Sequence, residues 1–133
     1  MTFTLGRARV TFIGPARTQH TDSRDDGLTL RIDYGQTSVV VTGCITSNGE
    51  KEIVSSGAAA ACDALIVSRG GTETATCAEW VEAAKPKVAL ITGKNPANSV
   101  HIRLQKYGAT VYAAKENGVM TLFSDGQEIT VEP

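Results

Sequence analysis

No sign of charge dominates this chain: thirteen lysines and arginines oppose fourteen aspartates and glutamates over 133 residues, a formal charge of −1. That balance gives no general pull toward nucleic acid or an anionic membrane. Long apolar runs are missing too, since none approaches the roughly eighteen residues needed to span a bilayer. Met1 to Arg7 lacks the charged-then-apolar pattern of a signal peptide. The expectation is a soluble segment that makes no membrane contact of its own. Cys44, Cys62 and Cys77 are an odd number without a CxxC pair. Neither a disulfide framework nor a zinc knuckle is indicated, and buried reduced thiols, suited to a reducing compartment, are expected. Histidine is scarcer still, with only His20 and His101.

What is present is organised around residues 62–92, which read as strand, loop, helix and strand. Ala64 to Val67 is a short apolar run bounded by turn residues, as a buried strand requires. Ser68 to Ala75 is small and polar, and Gly70-Gly71 can take backbone angles that other residues avoid. Thr76 and Glu79 have the spacing of a capping box at a helix start. Lys85-Pro86 closes that helix, and Val88 to Ile91 is the next strand. A loop between a buried strand and a helix is where open α/β proteins place their chemistry.

The remainder supplies strands and short helices. Phe3 to Leu5 and Ala8 to Ile13 alternate as strands, and Gly14-Pro15 ends the second. Residues 16–26 are almost entirely polar and read as an exposed loop. Leu28, Leu30, Ile32 and Tyr34 alternate with polar residues, as in a half-buried strand, and Gly35-Gln36 turns the chain into Ser38 to Thr42. Ser47 and Glu50 suggest a second capping box on a helix that ends by Gly57. Asn95 or Asn98 could cap a helix running to Tyr107, with Gly108 as its stop. Thr110 to Ala113 and Gly118 to Phe123 read as strands, and Asp125-Gly126 as a hairpin turn into Glu128 to Val131. This gives about eight strands and three helices in a single domain, 1–133, of α/β (α+β) class: a mixed sheet with helices on one face.

The succession Leu30-Arg31-Ile32-Asp33-Tyr34-Gly35, Thr42-Gly43-Cys44, Asp63-Ala64-Leu65-Ile66-Val67-Ser68-Arg69-Gly70-Gly71-Thr72, Lys85-Pro86-Lys87-Val88-Ala89-Leu90-Ile91, Tyr107-Gly108-Ala109-Thr110-Val111-Tyr112 and Asp125-Gly126 resembles the C-terminal half of a metallo-β-lactamase-fold domain. The nearest kind is the domain attached to the ComEC competence (DNA-uptake) proteins, where it lies outside the cytoplasm. The resemblance covers nearly the whole chain and implies half of an αββα sandwich. Family members bind one or two metal ions, usually zinc, through histidines and aspartates at one edge of the sheets.

This chain departs from that pattern. The family's His-x-His-x-Asp-His motif belongs to the first half, which is absent here. The aspartate of its Thr-Gly-Asp turn corresponds to Cys44. Its His-His-Gly-Ser loop corresponds to Arg69-Gly70-Gly71-Thr72, and its last metal histidine corresponds to Asn95. Zinc needs three or four nitrogen, sulfur or carboxylate donors; Cys44 could serve as a thiolate, whereas Arg69 cannot bind a cation and the Asn95 amide is a poor zinc ligand. The resemblance therefore implies a domain without zinc or another cofactor and without hydrolase chemistry, used for structure or interaction. A lone half would leave an apolar sheet face in water, so a homodimer through that face is expected. The alternative is a metal-dependent hydrolase or nuclease completed by a partner domain that supplies the other half.

Other candidates are thin. Ser68, Arg69, Gly70, Gly71 and Thr72 could cradle an anion, but lack P-loop spacing and stand beside Glu73. Cys44 would need His20 or His101 as a base, and no spacing favours a metal site made from Cys44, His20 and Asp25 or Asp26. Arg17, Arg24 and Arg31 have no interleaved aromatics, so nucleic-acid binding has little support. Trp80 reads as a core anchor.

Overall fold

The computed structural model describes residues 1–132. Strands β1 (Thr2–Leu5), β2 (Ala8–Gly14), β3 (Thr29–Tyr34) and β4 (Thr37–Val41) pair antiparallel in succession. Next come α1 (Ser47–Ser55), β5 (Ala64–Ile66), α2 (Ala78–Ala84), β6 (Val88–Ile91), α3 (Asn98–Lys106) and β7 (Thr110–Ala113). From β4 onward the pairing is parallel, so the seven strands lie in sequence order across one mixed sheet. A helix between each parallel pair is what parallel connections require. A one-turn helix, α4 (Ala114–Asn117), leads to a separate hairpin of β8 (Thr121–Ser124) and β9 (Ile129–Glu132). The protein is thus of mixed α/β class, with nine strands and four α-helices among the described residues.

The strand pleat sorts residues onto two faces. Val40, Leu65, Ala89 and Val111 stand in register across four strands. Together with Ile53 of α1, Trp80 and Val81 of α2, and Val100 and Leu104 of α3 they form the core, so these three helices share one face. Trp80 is fully buried there, as its anchoring role predicts.

The opposite face is also apolar. Phe3 pairs with Val10, Val10 with Ile32 and Ile32 with Val39, while Phe12, Leu30, Val41, Ile66, Leu90 and Tyr112 form the neighbouring row. Arg9, Arg31 and Asp33 fall on the other pleat and so on the helix side. The β8–β9 hairpin covers part of this outer face: the Ser124 hydroxyl meets that of Thr37 at 2.6 Å, and Gln36 donates its N–H to Gly126 O at 2.6 Å. Beyond the hairpin, Phe3 is 45% and Leu5 70% exposed.

Four local expectations are corrected. Neither capping box forms. Thr46, not Ser47, is the N-cap of α1, and Asp25 from the preceding loop accepts its N–H at 2.7 Å and its hydroxyl at 2.9 Å. Glu50, instead of reaching back to its own helix, accepts the N–H groups of Thr76 and Cys77 at the start of α2, at 2.7 and 2.9 Å. Thr76 cannot cap because it adopts a left-handed φ of 59°. Ala97, not an asparagine, precedes α3 as its N-cap. Residues 16–26 are not simply an exposed loop: they contain a 3-10 turn at Ser23–Asp26 and bury Asp25. Finally, β8 begins at Thr121 rather than at Gly118, because Gly118 takes φ 69° and ψ −140°, a conformation open to glycine alone.

Candidate functional site

The loops at the carboxyl ends of β4, β5 and β6 meet backbone to backbone. Arg69 donates its N–H to Gly43 O at 2.8 Å, Gly93 donates to Gly70 O at 3.2 Å, and Ala97 donates to Gly71 O at 2.9 Å. The Ser68 hydroxyl ties the same loops together through Ile45 O at 2.5 Å and Gly43 O at 3.3 Å. Parallel strands deliver Gly43-Cys44, Ser68 to Thr72 and Gly93 to Pro96 to one end of the sheet, so the positions singled out from the sequence (Cys44, Arg69, Gly70 and Asn95) belong to one cluster of loops.

Glycine permits this approach. A side chain on Gly70 would stand 2.7 Å from Gly93 Cα, and one on Gly93 would collide with Gly70 O. Gly93→Ala is therefore expected to push the two loops apart and to cost roughly 1–3 kcal/mol, as overpacking does. A lowered melting temperature with unchanged far-ultraviolet dichroism would show this.

The side chains there make a poor metal cage. Cys44 is exposed, which corrects the expectation that all three thiols are buried; Cys62 is buried and Cys77 half-buried, and burial raises both of those thiols to about 12. Asn95 is exposed and Arg69 half-buried. Among the described residues, no three His, Cys, Asp or Glu side chains gather as a metal site would require. Arg69 holds a left-handed φ of 53°, and its Nε and Nη1 are shielded from solvent without a hydrogen-bond partner in the protein. A zinc ion at this convergence would face a guanidinium, one thiol and a neutral amide, and that donor set does not fit it.

The glycine-rich loop is engaged with its neighbours. Ser68 directs its hydroxyl at carbonyl groups of the β4–α1 loop, the Thr72 hydroxyl pairs with that of Thr74 at 3.2 Å, and Thr72 N–H returns to Arg69 O at 3.4 Å. The Arg69 guanidinium keeps two buried donors, Nε and Nη1, without a partner in the protein.

A second polar cluster lies between the 16–26 loop and α1. The His20 ring is only 3% exposed; its Nδ1 is 2.7 Å from Asp26 Oδ1 and its Nε2 2.6 Å from Glu52 Oε2. Arg17 joins Glu52 at 3.0 Å. Asp22 is paired with Arg24 and is held down at about 2, chiefly by the hydrogen bonds from that residue. Arg17, His20, Asp22 and Glu52 line an open cleft of about 710 Å³ with Asn48 and Lys51. Both His20 nitrogens are occupied by carboxylates, so His20 is not free to act as a base toward Cys44, and both Asp25 oxygens are occupied by Thr46. The only sequence signal for this cluster was the density of Asp, Arg and His in residues 17–26; their partner Glu52 is more than twenty residues away.

The chain matches no protein-family model, and no curated protein matches its sequence.

Proposed function

We propose that this chain is a non-catalytic module of metallo-β-lactamase-like type, related to the C-terminal half found in ComEC-type DNA-uptake proteins, and that it works by association through its outer sheet face. Three features support the reading. The mixed sheet with helices on one side has the layering expected of the half-sandwich that the resemblance implies, and the loops that carry its motifs converge at one end of the sheet. The observation that carries it is Arg69: a fixed guanidinium, with two nitrogens enclosed, stands in the loop cluster where a divalent cation would have to be held, and like charges repel. The outer face supplies the interaction surface, being apolar in both of its rows.

The occupant of that face is a second copy of this chain. From β1 to β3 it carries no charged side chain, so two copies meet around a two-fold axis without opposing like charges. The alternative, a hydrolase completed by histidines from a partner chain, would need metal in the assembled site. Elemental analysis after dialysis against micromolar zinc separates the two. The proposal expects far less than one zinc per chain, before and after Arg69→Ala. Stoichiometric zinc that protects Cys44 from alkylation would overturn it.

A further inference from the structure

His20 is the one histidine of the chain that is enclosed by charge. Its charged neighbours come from every element packed around it: Asp26 and Asp25 from the 3-10 turn, with Asp22 at the N-cap of that turn; Glu52 and Lys51 from α1; and Arg17 from the loop itself. Of the two carboxylates that touch the ring, Asp26 belongs to the loop and Glu52 to the helix. An ionised carboxylate only accepts hydrogen bonds, and a neutral imidazole has a single N–H. Contacts of 2.7 and 2.6 Å to acids at both nitrogens therefore require an N–H at each, which is the imidazolium form.

We propose that His20 is a protonation-controlled clasp: as the imidazolium it is braced within the loop by Asp26 and fastens the 16–26 loop to α1 through Glu52, and on losing a proton it releases that loop. Deprotonation turns one ring nitrogen into a lone pair facing a carboxylate oxygen at hydrogen-bond distance. Attraction becomes repulsion at that contact, and Asp26 or Glu52 must withdraw. Asp25 lies in the same 3-10 turn and caps α1 through Thr46, so the start of α1 loosens with the loop. The hydrogen bond to Asp26, assisted by the bond to Glu52, raises His20 above its ordinary value, against the opposing effects of burial and Arg17. A raised folded-state value means that the stabilisation is complete below the unfolded value of about 6.5 and is lost as pH climbs through the folded value. The opening is alkaline.

The test is a titration of the two histidine ring signals by proton–carbon NMR, with His101→Gln to assign them, alongside amide-exchange protection factors corrected for intrinsic rates. His20 is expected to titrate above 6.5, and Glu52→Gln and Asp26→Asn should each bring it down. Protection across residues 17–28 and at Thr46 should fall by about tenfold or more over the same pH span. That change should vanish in His20→Gln, whose core protection at Leu65 and Ala89 reports that the domain remains folded. A neutral-imidazole signature for His20 at pH 6, or protection that ignores its titration, would overturn the proposal.

Discussion

Replacing Glu50 by alanine is expected to lower the melting temperature by roughly 10 °C, the largest effect of any single polar substitution in this domain. Glu50 is fully buried, and its carboxylate is the acceptor for two N–H groups at the start of α2. Truncation leaves both amides enclosed without a partner, at about 1–3 kcal/mol each, less whatever water recovers. A total near 3 kcal/mol is a sizeable share of the stability of a domain this size. Burial raises this acid from 4.5 to about 7, against the pull of the Cys77 and Thr76 amides. A raised value contributes stability that is complete below about 4.5 and declines as pH rises through about 7. Glu50→Gln, which resembles the protonated acid, should lose little at pH 5 and should flatten the decline toward pH 8. Thermal melts of the three proteins at pH 5 and pH 8 check both the size and the sign.

The second large effect concerns association. Phe3 and Leu5 stand on the uncovered part of the outer face, where Phe3 packs against Phe12 at a ring separation of 5.9 Å. Full burial of a Phe or Leu side chain contributes about 1.5–3 kcal/mol. Both are already partly covered, so four of them in a two-fold dimer supply about 4 kcal/mol, which is roughly a thousandfold in Kd. Phe3→Glu with Leu5→Glu removes that contribution and places four carboxylates in the interface. Light scattering should find the wild type dimeric at micromolar concentration and the double variant monomeric, with its far-ultraviolet dichroism unchanged. A wild-type monomer at that concentration would sink the dimer.

Much of the architecture was legible because it rests on periodicity. The alternation of Leu28, Leu30, Ile32 and Tyr34 places β3 correctly, and the apolar runs at 64–67 and 88–91 contain the parallel strands β5 and β6. The loop cluster was legible as well, since carboxyl ends of adjacent parallel strands must lie side by side. The capping was not. A Ser-x-x-Glu or Thr-x-x-Glu spacing is satisfied locally only if the glutamate turns back on its own helix, and at Glu50 a neighbouring helix start offered two amides instead of one. The His20 cluster escaped for a related reason: a polar loop reads as solvated until its partner on another element is known, and Glu52 is fixed only by tertiary packing.

The helices of this domain do not begin on their own authority. Asp25 secures the start of α1, Glu50 of α1 secures the start of α2, and Arg103 of α3 donates to Thr76 O at 2.7 Å. The starts of α1 and α2 thus depend on side chains remote in sequence, so a peptide cut to either of these helices would lack its cap. Melting should accordingly be all-or-none, with helix and sheet signals vanishing at one midpoint.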